Sequence, residues 1–231
     1  MPTSGGTMPV AVVTGASAGL GRALASALVR REWTVLGTGR DPGTLRAAAA
    51  DAGFTPVPGD VTDPAHRAQL AEAAGPRLDL LVNNASTLGV SPLPPLAEYP
   101  PDELETVFRT NVFAPLALAR LLLPALAAAK GVLINISSDA AVEAYEGWGG
   151  YGSAKAALDH VSAVLGVENP DIAVYAVDPG DLRTAMHQAA FPGEDISDRP
   201  LPETAVPAFL RLLEERPPSG RFKAADLQVQ S

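Results

Sequence analysis

The sequence lacks cysteine and contains little histidine. None of its 231 residues is cysteine, which excludes a disulfide framework, a thiolate metal site and a cysteine nucleophile. Three histidines are present, His66, His160 and His187, and their wide spacing along the chain disfavours a zinc cluster. Any chemistry must therefore rest on other side chains.

Positive charge is also scarce. The chain has 17 lysines and arginines against 26 aspartates and glutamates, a formal net charge of −9. This balance disfavours electrostatic binding to nucleic acid, so no nucleic-acid partner is predicted. Hydrophobic residues make up 47% of the sequence, which is typical of a globular protein with a buried core.

Long apolar runs are missing as well. The longest apolar stretch, residues 115–129, holds two prolines and Arg120 and is short for a bilayer. Residues 1–8 show no basic region followed by an apolar run, so no secretory signal is predicted. We interpret residues 1–8 as a flexible leader and residues 9–231 as one domain of a cytoplasmic protein without a membrane partner.

Strand-length apolar runs alternate with longer helical patterns. Strands are predicted at residues 10–14, 33–38, 54–60, 78–83, 131–137, 172–178 and 220–224. Helices are predicted at 19–31, 101–123, 150–167 and 202–215, and after Asp41-Pro42 and Asp63-Pro64, where an N-cap residue precedes proline. Apolar strands that are each followed by a helix indicate a parallel sheet covered on both faces. The predicted fold is therefore α/β, a single doubly wound Rossmann-like domain with a mainly parallel sheet of about seven strands.

The turn after the first strand is rich in glycine and reads Thr14-Gly15-Ala16-Ser17-Ala18-Gly19-Leu20-Gly21. Glycine is needed where a turn is tight and where backbone approaches a pyrophosphate, and free N–H groups at a helix start favour the anion. An ordinary glycine-rich turn is the alternative. The position at the first strand–helix junction favours dinucleotide binding.

Tyr151 and Lys155 stand four residues apart in a predicted helix, which places phenol and ammonium on one face. A neighbouring cation favours the phenolate and lowers the pKa of a tyrosine. Such a tyrosine can exchange a proton with a carbonyl or alcohol oxygen. A chance pair is the alternative, because this spacing is common in helices.

Together these features resemble the short-chain dehydrogenase/reductase family. The turn has the family's TGxxxGxG spacing, and Ser138 precedes Tyr151 by thirteen residues, as in the family. Ser137 is the rival hydroxyl, and the family's spacing selects Ser138. The sequence after the fourth strand, residues 83–86, reads NNAS where family members usually read NNAG, so Ser86 is a departure.

The resemblance implies four catalytic residues, Asn111, Ser138, Tyr151 and Lys155. Ser138 would polarise a carbonyl, Tyr151 would exchange the proton, and Lys155 would lower the pKa of Tyr151 and bind the nicotinamide ribose. Asn111 would hold a relay water through its main-chain carbonyl, which is left free because Pro115, four residues on, has no N–H. A proline kink that serves packing alone is the alternative for Asn111.

The resemblance also implies contacts to a dinucleotide along the carboxyl edge of the sheet. The glycine turn would hold the pyrophosphate, the end of the third strand the adenine, and the segment after the sixth strand the nicotinamide. Asn83 would stabilise the sheet and border the adenosine ribose. The expected cofactor contacts are Gly15, Ser17, Gly19, Leu20, Gly21, Arg40, Asp60, Val61, Asn83, Tyr151, Lys155, Pro179, Gly180 and Thr184.

The end of the second strand bears on the choice of cofactor. An acidic residue there would bind the adenosine ribose, but Gly39 occupies that place and Arg40 follows. A guanidinium suits a phosphate monoester, so NADP(H) is favoured over NAD(H). A solvated arginine paired with Asp41 is the alternative, although Asp41 is already explained as a helix cap.

These expectations combine into a function. The chain is predicted to be an NADP(H)-dependent oxidoreductase that interconverts a small carbonyl and a secondary alcohol by hydride transfer, with Tyr151 as proton donor or acceptor. The resemblance implies a homodimer or homotetramer through helices 101–123 and 150–167. A non-catalytic dinucleotide sensor with the same fold is the alternative function.

The substrate is not readable from the sequence, but one segment is of interest. Residues 181–203 form a long irregular insertion, which we interpret as a mobile lid that offers Met186 and Phe191 to the substrate. A plain surface loop is the alternative. Residues 147–149, Met186, His187 and Phe191 are candidates for the pocket wall, and His187 is interpreted as a surface residue rather than a catalyst.

Overall fold

Seven strands form one sheet in which every neighbouring pair is parallel. The computed structural model describes residues 8–227; the predicted leader therefore falls, apart from Met8, outside the described residues. The strand order is β3-β2-β1-β4-β5-β6-β7. The strands are β1 Val10–Thr14, β2 Thr34–Gly39, β3 Thr55–Pro58, β4 Leu80–Asn83, β5 Val132–Ile136, β6 Ala173–Asp178 and β7 Gly220–Lys223.

Helices connect the strands and cover both faces of the sheet. The helices are α1 Gly19–Val29, α2 Pro42–Ala52, α3 Pro64–Ala74, α4 Pro101–Phe108, α5 Ala114–Ala129, α6 Gly149–Glu168, α7 Ala185–Ala190, α8 Val206–Glu215 and α9 Ala224–Leu227. Asp41 and Asp63 cap α2 and α3 through their side chains, each with proline at the first helical position. Both caps were predicted from the sequence.

Successive residues of each central strand pack on opposite faces. In β1, Ala11 and Val13 contribute to the core beneath α1, α2 and α8, whereas Val12 contributes to the core beneath α3, α5 and α6. Each core contains aliphatic side chains that are almost fully buried. A sheet covered on both faces explains why the strands read as continuous apolar runs.

The long helix predicted at residues 101–123 differs from the prediction in two ways. A π-helical segment, Arg109–Phe113, separates α4 from α5. The helix also continues past Pro124 to Ala129. Pro124 lies on the exposed side of the helix, while Ala125 and Leu126 continue the buried stripe. The segment Pro101–Ala129 is long enough to cross a bilayer, and an 18-residue window within it is apolar enough, with a mean hydropathy of 1.9. Its buried apolar residues nevertheless belong to the protein core.

The insertion at 181–203 is less irregular than predicted. It contains the helix α7 and ends within the 3₁₀ turn Pro202–Thr204. Thr184 caps α7 by accepting a hydrogen bond from the main-chain N–H of His187 at 3.1 Å. Leu182 and Ile196 are buried and anchor the segment to the body of the protein.

The connections reverse direction between β1 and β4, which lie side by side at the centre of the sheet. A crevice forms outside the carboxyl ends of strands at such a switch point, and ligands of open α/β sheets bind there. The residues that follow β1, β4, β5 and β6 meet at this edge.

Candidate active site

One cavity of about 360 Å³ runs along the carboxyl edge of the sheet. It extends from the end of β2 across the glycine turn to the start of α6. Most of the predicted site residues line it: Gly15, Ser17, Gly19, Leu20, Arg40, Asp60, Val61, Ser138, Tyr151, Lys155, Pro179, Gly180 and Thr184. Gly21, Asn83 and Asn111 do not line it, and each has a different place in the structure.

The glycine turn is held tightly between β1 and the loop after β4. Gly15 has a φ of +68°, in the region that favours glycine. A Cβ on Gly21 would lie 2.3 Å from the carbonyl oxygen of Gly15 and 2.5 Å from Nδ2 of Asn84, so Gly21 allows α1 to pack against the turn. Asn84 fixes the turn by donating from Nδ2 to the Thr14 carbonyl at 2.9 Å. Gly21 is therefore a packing residue behind the cavity wall.

The start of α1 faces the cavity without a capping side chain. Ala18 is the N-cap residue and cannot accept a hydrogen bond through its side chain, and the first turn holds no acidic residue. The N–H groups of the first turn of an α-helix have no partner within the helix. These groups and the positive end of the helix dipole suit an anionic ligand.

Arg40 lies exposed at the far end of the cavity. None of the ion pairs in the described part of the chain involves Arg40, and Asp41 is engaged with the main-chain N–H of Thr44 at 2.7 Å. Asp60 lies nearby. Burial opposes ionisation of Asp60, but hydrogen bonds from Thr62 and the charge of Arg40 hold its pKa below the usual value. The Arg40 guanidinium therefore remains available to a negative group.

Asn83 lies beneath the cavity rather than in its wall. Its Nδ2 donates to Oδ1 of Asn135 at 2.8 Å, and Nδ2 of Asn135 donates to the Ser162 hydroxyl at 2.8 Å. These buried amides join β4 and β5 to α6. The structure thus shows the sheet-bridging contacts expected of Asn83, and the cavity wall at this point is formed by Asn84 instead.

Tyr151 and Lys155 lie on successive turns of α6 and are both buried. Nζ of Lys155 lies 5.4 Å from the centroid of the Tyr151 ring and donates to the Ile136 carbonyl at 2.7 Å. Burial lowers the pKa of Lys155 to about 8, opposed by the charge of Asp159. The pair predicted from the spacing is therefore brought together.

The pKa of Tyr151 differs in direction from the sequence prediction. Burial raises it above the usual value of a phenol, and the carboxylates of Asp178 and Asp139 add to the rise. The hydroxyls of Ser86 and Ser138 act in the opposite direction. The cation four residues away does not overcome burial, so the protein's own groups hold Tyr151 protonated.

Ser138 follows β5 and caps the 3₁₀ turn Asp139–Ala141. Its hydroxyl donates to Oδ1 of Asp139 at 2.9 Å and accepts from the main-chain N–H of Ala140 at 3.2 Å. The rival Ser137 also lines the cavity, but it is Ser138 whose hydroxyl influences the pKa of Tyr151. This proximity favours Ser138 as the hydroxyl that acts with Tyr151.

Asn111 lies in the π-helical segment and is 1% exposed. Its Oδ1 accepts from the main-chain N–H of Thr87 at 2.9 Å and from the Ser86 hydroxyl at 3.1 Å, and its Nδ2 donates to the Thr87 carbonyl at 2.8 Å. The side chain of Asn111 thus fixes the loop after β4, and this loop brings Ser86 to Tyr151. π-helical segments occur frequently at functional sites.

The end of the cavity beside Tyr151 is mixed in character. Leu88, Trp148 and Met186 supply apolar surface there, and Asp139, Asp181 and His187 supply polar groups. Residues of the 181–203 segment form part of this wall, as the sequence predicted. Ser91 in the loop after β4 donates to the Ala189 carbonyl of α7 at 2.6 Å, which joins the two loops over this end.

His187 and Phe191 were both candidates for the pocket wall, and the structure places only His187 there. The His187 side chain is only 10% exposed, so it is not a surface residue, and it lines the cavity. Phe191 lies behind the wall, with its ring centroid 6.0 Å from that of Trp148 and 5.0 Å from that of His187. Phe191 therefore supports the wall without forming it.

Two charged residues at the site were not anticipated. Asp178, the last residue of β6, is buried and lines the cavity. Arg221 on β7 donates to the Ser138 carbonyl from Nη2 at 2.9 Å. Asp178 directly precedes the Pro179-Gly180 motif, so the sequence could have indicated its place at the site. Nothing in the sequence around Arg221 points to the site.

Comparison with known proteins gives a coherent result. Residues 9–195 match the family model described as short chain dehydrogenase. A serine 3-dehydrogenase of Agrobacterium fabrum is 36% identical over 181 residues, which cover 75% of this chain and 72% of the relative. A short-chain dehydrogenase of Shigella flexneri complexed with NADP has a TM-score of 0.88 at 31% identity, covering 94% of this chain and 97% of that one. One of Escherichia coli complexed with NADPH has a TM-score of 0.87 at 31% identity, covering 94% and 96%.

Proposed function

The chain belongs to the short-chain dehydrogenase family and is an oxidoreductase of that type, and we propose that it interconverts a small carbonyl compound and a secondary alcohol with NADP(H). The reaction is carbonyl + NADPH + H⁺ ⇌ alcohol + NADP⁺. The observation that carries the proposal is the convergence of Ser138, Tyr151 and Lys155 at one end of a cavity whose other end holds Arg40. Residues 9–231 are proposed to work as one domain.

The cavity suits a dinucleotide by its form and chemistry. The uncapped start of α1 and the glycine turn would hold the pyrophosphate, Asp60 and Val61 the adenine, and Pro179, Gly180 and Thr184 the nicotinamide. When bound, the nicotinamide supplies or accepts the hydride.

Proton transfer is assigned to Tyr151. Because burial keeps its phenol protonated, Tyr151 is suited to donate a proton to the oxygen of a carbonyl substrate. The Ser138 hydroxyl is proposed to donate a hydrogen bond to the same oxygen, exchanging its present acceptor Asp139 for the substrate. Lys155, partly deprotonated near pH 8, is placed to favour the phenolate after the transfer.

Asn111 is proposed to act as a positioning residue. Its side chain makes three hydrogen bonds with Ser86 and Thr87 and does not reach the cavity. These bonds hold Ser86, whose hydroxyl lowers the pKa of Tyr151. The relay role of the Asn111 main-chain carbonyl is retained as part of the proposal.

The preference for NADP(H) is supported by two observations. Arg40 lines the cavity without an ion pair in the described part of the chain, and Gly39 stands where an acidic residue would bind the adenosine ribose. The two structural neighbours complexed with NADP and NADPH support the same choice. A guanidinium can bind the 2′-phosphate that distinguishes these cofactors.

The assembly and location of the protein are also proposals. Phe113 and Leu121 of the Arg109–Ala129 region and Val164 and Val167 of α6 are exposed apolar residues on the helices that the family resemblance implicates in association. We propose a cytoplasmic homodimer or homotetramer, and light scattering on the purified protein measures its mass.

A turnover assay of Tyr151→Phe tests the function. Purified protein is incubated with NADPH and a panel of aldehydes, ketones and polar keto compounds, and with NADP⁺ and alcohols that include serine, the substrate named for one relative. Loss of the phenolic proton is expected to lower kcat by about 10²–10⁴-fold with NADPH affinity unchanged. Full turnover in Tyr151→Phe contradicts the assignment, and NADPH binding without turnover in the wild type favours a dinucleotide sensor.

A further inference from the structure

Arg221 connects three elements that carry the reacting groups. Its Nε lies 2.8 Å from Oδ2 of Asp159, and its Nη2 lies 2.9 Å from the Ser138 carbonyl and 3.5 Å from Oδ2 of Asp178. Asp159 lies on α6 one turn beyond Lys155, and Asp178 ends β6. A single guanidinium therefore bridges the Ser138 strand end, the Tyr151 helix and the turn that lines the nicotinamide end of the cavity.

The cluster is largely shielded from water. The side chains of Arg221, Asp159 and Asp178 are 25%, 14% and 6% exposed. Within the described residues, Arg221 provides the only ion pair of either carboxylate. Removing one partner from a buried ion pair leaves an uncompensated charge, which is far costlier than the loss of a surface pair. Removing Arg221 is therefore expected to disturb the positions of Asp159, Asp178 and Ser138 more than the loss of a surface arginine would.

We propose that Arg221 is a positioning residue for catalysis: its guanidinium holds the Ser138 carbonyl, α6 and the Asp178 turn at fixed separations and neutralises carboxylates that face the proton-transfer groups. The inference rests on the function proposed above. A planar guanidinium can bind several acceptors at once in fixed directions, which a lysine ammonium cannot reproduce.

Removing the Arg221 charge also changes the electrostatics of proton transfer. The charged groups that face Tyr151, Lys155 and Asp178 come from every surrounding element, and they are Asp139, Asp159, Asp178, Arg221 and Lys223. Asp178 raises the pKa of Tyr151, Asp159 raises that of Lys155, and Arg221 lowers that of Asp178. Above neutral pH, without Arg221, Asp159 loses its ion-pair partner and Asp178 keeps only the weaker influence of Lys223, so Tyr151 and Lys155 are expected to hold their protons to higher pH.

Alcohol oxidation requires Tyr151 to accept a proton, so its pH profile reports this change. Arg221→Gln is expected to move the rising limb of the kcat profile upward by about 0.5–1 pH unit. It should also lower kcat by up to about a hundredfold through displacement of Ser138. Arg221→Lys keeps the charge but loses the fork, so it is expected to lower kcat while leaving the pH profile near that of the wild type.

A double variant separates the effect of the Arg221 charge from the effect of its hydrogen bonds on positioning. Arg221→Gln with Asp159→Asn removes one positive and one negative charge, so the pH profile should return toward the wild type while kcat remains low. Arg216→Gln is the matched control. Arg216 is exposed and donates to the Lys130 carbonyl at 2.6 Å, beside the amino ends of the strands and away from the cavity. Circular dichroism and NADPH binding confirm that each variant is folded.

The outcomes distinguish this inference from the proposed function. If Tyr151→Phe is inactive while a folded Arg221→Gln keeps the turnover and pH profile of the wild type, the role of Arg221 is wrong and the function stands. If Arg221→Gln loses turnover without any shift of the profile, the electrostatic part is overturned. If Tyr151→Phe remains active, the proposed function itself fails.

Discussion

Replacing Gly21 by alanine tests how the glycine turn is built. An ideal Cβ at this position would lie 2.3 Å from the Gly15 carbonyl oxygen and 2.5 Å from Nδ2 of Asn84. The first contact is with backbone, which cannot rotate away. The main-chain N–H groups of Asn84 and Ala85 both donate to Oγ1 of Thr14 at 2.9 Å, so a shift of the turn strains the junction of β1 and β4.

The magnitude follows from the cost of overpacking. An added methyl in a close-packed region costs about 1–3 kcal/mol, and the backbone contact places Gly21→Ala toward the upper end. For a chain of this size each 1 kcal/mol lowers the thermal midpoint by about 2–4 °C, so a decrease of about 4–12 °C is expected. Because the turn would hold the pyrophosphate, NADPH affinity should fall about tenfold or more.

Gly43→Ala is the control for this experiment. Gly43 lies in the first turn of α2, and a Cβ there would meet only Oδ1 of Asp41 at an ordinary 3.4 Å. Replacing such a helical glycine by alanine is expected to be neutral or to stabilise by about 0.4–1 kcal/mol. Calorimetry and fluorescence titration with NADPH measure both variants. If Gly21→Ala retains both midpoint and affinity, the turn is looser than its contacts indicate and the reasoning is refuted.

Two further predictions concern the two ends of the cavity. Arg40→Asp should weaken NADPH binding by about ten- to a hundredfold, because a charge-assisted phosphate contact worth about 1.5–3 kcal/mol is lost, and should shift preference toward NADH. Arg46→Asp makes the same charge change outside the cavity and should leave both properties unchanged. A wild type that prefers NADH rules out this role for Arg40. Phe191→Ala removes the support of Trp148 and should change relative kcat/KM across the carbonyl panel by about tenfold with NADPH affinity unchanged, unlike exposed Leu201→Ala in the same segment. An unchanged substrate profile counts against the proposed lid.

The parts of the fold fixed by local chemistry could be predicted from the sequence. Asp41-Pro42 and Asp63-Pro64 each combine a cap with a proline that suits the first helical turn, and both start helices where expected. The central strands are apolar on both faces because both are covered. These signals need no knowledge of distant residues.

The predicted end of the long helix at residue 123 was wrong, because tertiary packing extends the helix to Ala129. The prediction ended the helix at residue 123, just before Pro124, and proline in a helix interior removes a hydrogen bond. The structure continues because Pro124 lies on the exposed side and the buried face needs Ala125 and Leu126. Burial of the following turn outweighs one lost hydrogen bond, and burial is not visible in a single sequence.

The meeting of Ser138, Tyr151 and Lys155 at one cavity could be predicted, because Ser138 follows a strand end and the other two share a helix face; their catalytic roles stay a proposal. Gly21 and Asn83 were expected to contact the cofactor, but packing against Asn84 and Asn135 places both behind the cavity wall. The direction of the Tyr151 pKa could not be foreseen, because the degree of burial outweighs the nearby cation.

The hydrogen bond from Ser91 to the Ala189 carbonyl has a consequence for engineering. The proposed acid–base groups lie at the end of β5 and on α6, whereas part of the wall beside Tyr151 lies on two loops that this bond joins. Replacing one loop alone with that of a relative would remove one partner of the Ser91–Ala189 contact near Trp148. We therefore expect that exchanging both loops together changes the substrate range with less disturbance than exchanging either loop alone.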